Sequence, residues 1–246
     1  MNKVYSSIDD AVADIPDGAS IAIPGFFAAG VPRVLLQALI ARGTRELTLA
    51  CGCGPLLGAY EELVQLIKNR QIKKVIDSYP LFRSATKGAQ DTFEQAVRSG
   101  EIELEVYPMG TLAEKYRAAG AGIPAFYTPT GIGSVVEEAV VTSIQDNRKA
   151  KETRILDGKN YVLEYALKTD YAFVHAHTAD TEGNLRYRMT ARNFNHVMAT
   201  AGRITIAEVE NVVEPGEISP DGIHTPGIYV QRVVKVPRVT FAITID

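Results

Sequence analysis

The chain has 246 residues, of which 46% are hydrophobic, so it is long enough to form the core of a globular protein. Its 26 basic and 29 acidic side chains give a net charge of −3, which leaves no overall basic surface for a polyanion. We therefore expect no nucleic-acid partner.

The first half of the chain alternates short apolar runs with amphipathic stretches. Ser7 is placed to cap a first helix, and residues 31–42 carry apolar side chains at helical spacing. The runs predicted to be strands are residues 20–23, 46–50, 73–79 and 103–107. This alternation predicts an α/β fold in which an open, mostly parallel sheet carries helices on both faces.

The first predicted strand leads into a glycine-containing loop that ends at Pro32, near the start of the next helix. In α/β folds, such a loop presents backbone N–H groups to an anion or a carbonyl oxygen beyond the carboxyl end of the strand. Pro24 withholds one of these donors, and the spacing differs from that of a dinucleotide-binding loop. A ligand-binding loop and a packed turn both fit these residues.

The chain has two cysteines, Cys51 and Cys53, separated by a single residue. This spacing strains an internal disulfide, and two thiols are too few for a structural zinc site. We expect reduced thiols in a cytoplasmic protein. The first ten residues lack an apolar signal core, and no stretch approaches the length of a membrane span, so we expect no membrane association.

Residues 111–133 pass from a helical pattern into a turn-rich segment. Four glycines and two prolines punctuate this segment: Gly120, Gly122, Pro124, Pro129, Gly131 and Gly133. Glycine permits close backbone approach and positive φ, and proline fixes φ, so we expect a loop of defined shape. The wall of a site and a packed connection are both compatible with this pattern.

We expect the second half to continue the same fold, in a single domain spanning residues 1–246. Residues 140–153 are polar without a clear period and are predicted to form an exposed excursion. Asp157 and Gly158 predict a hairpin turn. Residues 171–176, 204–209 and 228–236 are predicted strands, and residues 236–246 alternate like an edge or interface strand.

Two histidines, His175 and His177, alternate within a predicted strand and therefore share one face. No third ligand accompanies them in the sequence, so we expect hydrogen-bonded structural or interface residues and no metal site. Arg192 and Asn193 are expected to hold the fold or a subunit contact together.

Several motifs in this order resemble the alpha subunit of family I coenzyme A transferases, which include the 3-oxoacid and 3-oxoadipate enzymes. The matching motifs are Asp17–Gly18, residues 21–23, Gly25–Phe26, residues 30–32, 110–114, 120–131, 190–195 and 224–232. The resemblance covers nearly the whole chain. It implies a fold of the NagB/RpiA/CoA transferase type.

The resemblance implies a subunit of an enzyme that moves coenzyme A from an acyl-CoA to a free carboxylic acid. The reaction passes through a glutamyl-CoA thioester, and the glutamate belongs to a separate beta subunit in a heterotetramer or larger assembly. No catalytic residue is therefore expected in this chain, which should be inactive alone. Coenzyme A and acyl-CoA are substrates, with no permanently bound cofactor. Glu114, Glu137 and Glu138 are expected to be surface or structural carboxylates.

Three departures from the family pattern fall where the resemblance places the acyl pocket. Residues 24–27 replace Gly-Gly-Phe-Gly, residues 51–53 replace Ser-Asn-Asn, and Met109 replaces a glutamine. A thioether cannot donate the hydrogen bond that an amide can, so the acyl pocket is predicted to be atypical. The predicted pocket or oxyanion positions are Gly25, Phe26, Phe27, Gly30, Cys51, Gly52, Cys53, Met109 and Gly110.

Two other functions remain compatible with the sequence. The altered glutamine position allows a hydrolase of CoA thioesters or of carbon–carbon bonds on the same scaffold. A non-catalytic ligand-sensing or assembly module is disfavoured, because the sequence shows no DNA-binding segment and no charged tail.

Overall fold

The computed structural model describes residues 1–80, 91–143 and 150–238. The described strands are β1 (Ser20–Phe26), β2 (Leu47–Cys53), β3 (Ile72–Asp77), β4 (Glu103–Val106), β5 (Ala125–Thr128), β6 (Val141–Thr142), β7 (Thr153–Leu156), β8 (Lys159–Tyr165), β9 (Thr169–Asp180), β10 (Leu185–Arg186), β11 (Gly202–Val213) and β12 (Arg232–Lys235). The described helices are α1 (Ile8–Val12), α2 (Arg33–Arg42), α3 (Pro55–Gly58), α4 (Tyr60–Lys68), α5 (Thr92–Arg98), α6 (Met109–Gly120), α7 (Val135–Glu138) and α8 (Asn195–Ala201).

The main sheet has the strand order β12, β11, β9, β1, β2, β3, β4, β6, with β10 paired to β9. Strands β12 through β4 are parallel, and only the β4–β6 and β9–β10 pairs are antiparallel among the described strands of this sheet. The predicted open, mostly parallel sheet is thereby confirmed. The chain runs outward from β1 to β4 and then returns to the opposite side of β1 as β9. The order therefore reverses between β1 and β9, where open α/β sheets leave a crevice at their carboxyl edge.

Both faces of this sheet are covered by helices, as the sequence pattern predicted. In β1, Ile21 and Ile23 pack in the same cluster as the buried leucines of α2 and α4. Ala22 points to the opposite face, where it joins Tyr116 of α6 and Met198 of α8. The small side chain at position 22 lets α6 and α8 approach the sheet closely.

A smaller antiparallel sheet has the order β5, β8, β7. Asp157 and Gly158 connect β7 to β8 with φ of 49° and 74°, so the predicted hairpin turn is confirmed. The segment expected to be an exposed excursion begins differently, because Val141 and Thr142 form edge strand β6 on β4. Residues 144–149 of that segment and 239–246 of the terminal strand prediction lie outside the described residues.

The predicted helix ends are confirmed at α1 and shifted at α2. Ser7 caps α1, and its Oγ accepts the N–H of Asp10 at 3.1 Å. Helix α2 begins at Arg33 and not at residue 31, because Pro32 occupies the N-cap position. A proline side chain has no hydrogen-bond acceptor, so the N-cap residue of α2 makes no side-chain capping hydrogen bond.

The strand predicted at residues 228–236 is wrong in its first half. Residues Gly227–Tyr229 form a single 3₁₀ turn, and the strand covers only Arg232–Lys235. The tight packing of Gly227 explains the turn, since a Cβ there would lie 2.5 Å from the carbonyl oxygen of Glu182. Alternation of apolar residues cannot reveal a close contact of this kind.

The turn-rich segment after α6 has a defined shape. A Cβ at Gly120 would lie 2.0 Å from Thr200 Oγ1, so this glycine allows α6 to pack against α8. Gly122 follows with φ of 71° and turns the chain toward β5. The first part of the segment is therefore a packed connection between two elements. Within the described ranges, no helix is both long and apolar enough to span a membrane.

Candidate active site

The residues singled out in the sequence lie along the carboxyl edge of the main sheet. Loop 25–30 includes the last residues of β1, and residues 51–53 end β2, after which Gly54 is the N-cap of α3. Asp77 ends β3, and Met109 begins α6 just beyond β4. The carboxyl ends of neighbouring parallel strands meet at one edge, which is where ligands bind in open α/β sheets.

Loop 25–30 is held in a tight conformation by its own backbone. The N–H of Phe26 donates to the carbonyl oxygen of Ala29 at 3.2 Å, and the N–H of Ala29 donates back to Phe26 at 3.1 Å. The N–H of Phe27 donates to the carbonyl oxygen of Cys53 at 3.1 Å and so joins the loop to the end of β2. Phe27 adopts a positive φ of 49°, which is uncommon for an aromatic residue.

Aromatic rings form an apolar surface above this loop. The rings of Phe26 and Phe27 meet edge to face with centroids 5.2 Å apart, and Phe27 meets Tyr79 at 5.8 Å. Phe26 and Tyr79 remain 43% and 42% exposed. Tyr79 was predicted only as the end of a strand and not as a site residue. Its position two residues beyond the carboxyl end of β3 is the signal that could have found it.

The cysteine segment lies beneath the surface of the site. Cys51 is fully buried in the core, and Cys53 is nearly so. Burial raises the pKa of both thiols, and for Cys51 the rise is large. Both side chains are free thiols that stay protonated at neutral pH, so they do not supply a nucleophile. Burial thus gives no support to the prediction that Cys51 lines a pocket.

Gly52 holds its position for packing reasons. A Cβ at this residue would lie 2.8 Å from both the carbonyl oxygen of Gly25 and a ring carbon of Phe194. Gly52 therefore lets β2 and loop 25–30 come together over the Phe194 ring. The structure brings Gly25, Phe27, Gly52 and Cys53 into one contact group.

Asp77 carries a buried carboxyl group and was not among the predicted site residues. Its Oδ1 accepts backbone N–H groups from Ser78, Tyr79 and Gly54 at 2.6, 3.1 and 3.3 Å. Among the residues that the structure describes, Oδ2 has no hydrogen-bond partner. Burial raises the pKa of Asp77 to about 6, although the three backbone hydrogen bonds oppose the rise. The carboxyl group ties the turn after β2 to the end of β3.

Met109 and Gly110 lie apart from this contact group. They form the first turn of α6, where Met109 is 47% exposed and a Cβ on Gly110 would meet no atom within 4 Å. Strand β4 stands three positions from β1, which corresponds to about 14 Å at the usual strand spacing. Met109 and Gly110 lie at the same edge of the sheet as loop 25–30, but strands β2 and β3 separate them from that loop.

A cavity of about 250 Å³ opens where the strand order reverses. Gly30 and Arg33 line it from the β1 side, and His175, Glu208 and Glu210 line it from β9 and β11. His175 Nδ1 lies 2.9 Å from Glu208 Oε1, and its Nε2 lies 3.8 Å from Glu210. His175 is thus a hydrogen-bonded residue, as expected. No group of three or more His, Cys, Asp or Glu that could hold a metal ion occurs in the described part of the chain.

The remaining predicted polar residues have structural partners. Asn193 Nδ2 donates to the carbonyl oxygen of Ala29 at 2.9 Å, which confirms that Asn193 holds the fold together at loop 25–30. Glu114 pairs with Arg117 on the surface of α6 at 2.7 Å, and both side chains are about half exposed. Glu137 accepts the N–H of Gly133 at 2.7 Å on an exposed turn.

Comparison with known proteins identifies the family. The profile of the coenzyme A transferase family matches residues 5–236. The A subunit of succinyl-CoA:3-ketoacid coenzyme A transferase from Xanthomonas campestris is 47% identical over 233 residues, which cover 94% of this chain and 88% of the relative. The A subunit of 3-oxoadipate CoA-transferase from Pseudomonas putida is 44% identical over 239 residues, which cover 96% and 94%.

The fold is also that of a solved enzyme. Glutaconate coenzyme A-transferase from Acidaminococcus fermentans superimposes with a TM-score of 0.79 at 23% identity, covering 96% of this chain and 76% of that one. The carboxyl-edge site, the family match over residues 5–236 and the two related A subunits agree. The chain therefore belongs to the coenzyme A transferase family, among its A subunits.

Proposed function

We propose that this chain forms a CoA transferase with a separate beta subunit, and that the pair moves coenzyme A from an acyl-CoA to a free carboxylic acid. The main support for this proposal is the contact group of Gly25, Phe27, Gly52 and Cys53 at the carboxyl edge of the sheet. Exposed aromatic rings lie beside this group. The name of one related A subunit specifies succinyl-CoA and a 3-ketoacid, and the name of the other specifies 3-oxoadipate. Both names support a carboxylic-acid acceptor here.

The nucleophile in this proposal is a glutamate of the beta subunit. Its carboxylate attacks the thioester carbonyl, which releases CoA thiolate and forms an acyl anhydride. The thiolate then attacks the glutamyl carbonyl, so that glutamyl-CoA forms and the first acid leaves. A second acid repeats the two steps in reverse. In this chain Asp77 is buried, and Glu114 and Glu137 are engaged on the surface, so none of these carboxylates suits the role.

The backbone of α6 replaces the hydrogen-bond donor that Met109 lacks. The first N–H groups of a helix have no acceptor within it, and they carry the positive end of the helix dipole. Met109 and Gly110 stand in this first turn, and the space beside Gly110 is open. An acyl oxygen that approaches α6 is therefore stabilised by backbone N–H groups and not by a side-chain amide.

The acyl group of the substrate binds against Phe26, Tyr79 and Met109 in this proposal. All three side chains are more than two-fifths exposed at the same edge of the sheet. Their apolar surfaces suit an acyl chain with more apolar surface than a short dicarboxylate. We place the assembly in the cytoplasm as a heterotetramer or larger complex without a bound cofactor, and the two free thiols support a reducing compartment.

A transfer assay tests this function directly. The chain is co-expressed with the beta subunit encoded beside it, and the pair is incubated with acyl-CoAs of increasing chain length and with free acids. We expect formation of a new acyl-CoA that requires both subunits and an acceptor acid. Release of free CoA without dependence on an acceptor would contradict transfer and favour the thioester hydrolase, which the comparisons do not support.

A further inference from the structure

Helix α2 is capped by a residue from a distant strand. Its N-cap residue, Pro32, supplies no side-chain acceptor. The N–H of Leu35, at the third helical position, donates instead to Glu208 Oε2 of β11 at 2.8 Å. This is the backbone donor that an N-cap side chain normally satisfies. Glu208 is only 2% exposed, so its charge is held inside the protein at the amino end of α2.

His175 holds the other oxygen of this carboxylate. Its Nδ1 donates to Glu208 Oε1 at 2.9 Å, and its backbone N–H donates to Asn195 Oδ1 at 2.8 Å. Asn195 Nδ2 in turn donates to the carbonyl oxygen of Gly30 at 2.8 Å. The end of loop 25–30 and the start of α2 are thus both fixed by residues that contact His175.

The charges around His175 favour its protonated form. Burial opposes that form, but the hydrogen bond and charge of Glu208, with the charge of Glu210, raise the pKa of His175 above its ordinary value of 6.5. Arg188 opposes protonation from the segment after β10. His177 and Arg33 face the same cavity, and Arg33 is paired with Glu62 at 2.8 Å.

We propose that His175 and Glu208 are positioning residues for CoA transfer. Protonated His175 keeps the Glu208 carboxylate on the amino end of α2 and thereby fixes loop 25–30, against which the acyl group binds. This inference rests on the proposed function, since it assigns that loop to the substrate. Because the folded protein favours the charged imidazole, the arrangement is intact at lower pH and weakens as pH rises through the pKa of His175.

The test compares pH profiles of kcat and KM for the complex with its beta subunit. We expect kcat of the unaltered complex to fall at a pH above 6.5, as His175 loses its proton. The amine of His175→Lys has an ordinary pKa of about 10.4, well above that of imidazole, so this variant should move the fall to higher pH. His175→Gln should lower kcat by about tenfold at pH values below the pKa of His175, should remove the fall at higher pH and should change KM little, because misplacement of a substrate-positioning loop affects the reacting geometry.

His177→Gln is the matched control, since His177 lies on the same strand but does not contact Glu208. It should follow the unaltered profile. If His175→Gln also follows that profile, the positioning role is overturned. A residue that only stabilised the cavity would not give a fall in kcat that a lysine moves to higher pH.

Hydrogen exchange of the isolated full chain separates this inference from the proposed function. Amides of residues 26–36 should exchange faster in His175→Gln and Glu208→Gln than in His177→Gln, and His175→Lys should restore protection. Equal protection in all variants would overturn the inference even if transfer occurs. Absence of transfer by the unaltered complex, with the exchange pattern as expected, would overturn the proposed function and the role in transfer, but not the anchoring of loop 25–30 by His175 and Glu208. Should Glu208→Gln not fold, the two His175 variants carry the comparison.

Discussion

Gly52 occupies a crowded backbone position of the site. Replacement by alanine would place a methyl group 2.8 Å from the Gly25 carbonyl oxygen and from the Phe194 ring. Because the nearest atom on one side is backbone, β2 and loop 25–30 would have to separate. We expect Gly52→Ala to lower the free energy of unfolding by about 2 kcal/mol, in the range typical of overpacked cores.

Denaturant unfolding of the isolated chain measures this effect. Gly110→Ala is the control, since its new methyl group meets no atom within 4 Å and alanine favours helix. The control should leave stability unchanged or slightly higher. Equal stability of the two variants would show that the contact at Gly52 is readily relieved.

Asp77 makes stability depend on pH in an unusual direction for a carboxyl group. Burial raises its folded pKa to about 6 from an ordinary 3.8, so the folded state binds the proton more tightly than the unfolded state. The resulting stabilisation is complete below pH 3.8 and is lost as pH rises to about 6. A shift of this size corresponds to roughly 2–3 kcal/mol.

Asp77→Asn should remove this contribution, because the amide oxygen can still accept the three backbone N–H groups but does not titrate. The measurement is the difference in unfolding free energy between the two proteins across the acid range. That difference should change with pH only while Asp77 titrates. Parallel stability curves would contradict a raised pKa at this residue.

The sequence indicated the positions of several site residues but not all of their contacts. The glycine-containing pattern after β1 indicated loop 25–30, whereas the family resemblance placed residues 51–53 in the predicted pocket. Cys51 continues the alternation of Leu47 and Leu49 into the core, so its burial could have been anticipated. The role of Asp77 could not, because its partners come from the turn after β2 as well as from its own segment.

At the scale of elements, the aromatic surface arises from the ends of β1 and β3. Phe26→Ala should raise KM for acyl-CoAs with apolar chains by about tenfold, because it removes part of the surface on which the chain packs. Stability should change little, since the ring is already 43% exposed. Tyr165→Ala on β8 is the control, because its ring is 66% exposed in the smaller sheet.

Steady-state kinetics across a series of acyl chain lengths decides this prediction. The effect of Phe26→Ala should grow with chain length, whereas Tyr165→Ala should have none. A uniform loss for every acyl-CoA would instead indicate that loop 25–30 had collapsed, and no loss at all would remove Phe26 from the pocket.

Elements with strong local patterns could be predicted, and those formed by distant contacts could not. The strands predicted before residue 210 are present, because each has a short apolar or alternating run whose apolar side chains the parallel sheet buries. Short antiparallel strands β6 and β10 were missed, since two residues carry no periodicity. The cap of α2 by Glu208 joins residues 173 positions apart and leaves no local signal.

The whole molecule presents its predicted site along one open edge. The strand order of the main sheet reverses between β1 and β9. The aromatic surface lies at the ends of β1 and β3, and the first turn of α6 follows β4. The edge offers apolar surface and backbone donors, and the carboxylates of Asp77, Glu114 and Glu137 are buried or engaged elsewhere. This division is what a transfer site completed by a second chain requires. The organisation of residues 1–246 as a single domain stays a prediction.

The central claim is that a second chain supplies the nucleophile while this chain shapes the acyl site. Intact-protein mass spectrometry of the co-expressed pair, after incubation with acyl-CoA, tests it most directly. We predict a mass increase corresponding to CoA on the beta subunit only, which borohydride treatment abolishes by reducing the glutamyl thioester. An adduct on this chain, or turnover with no adduct on either chain, would contradict the account.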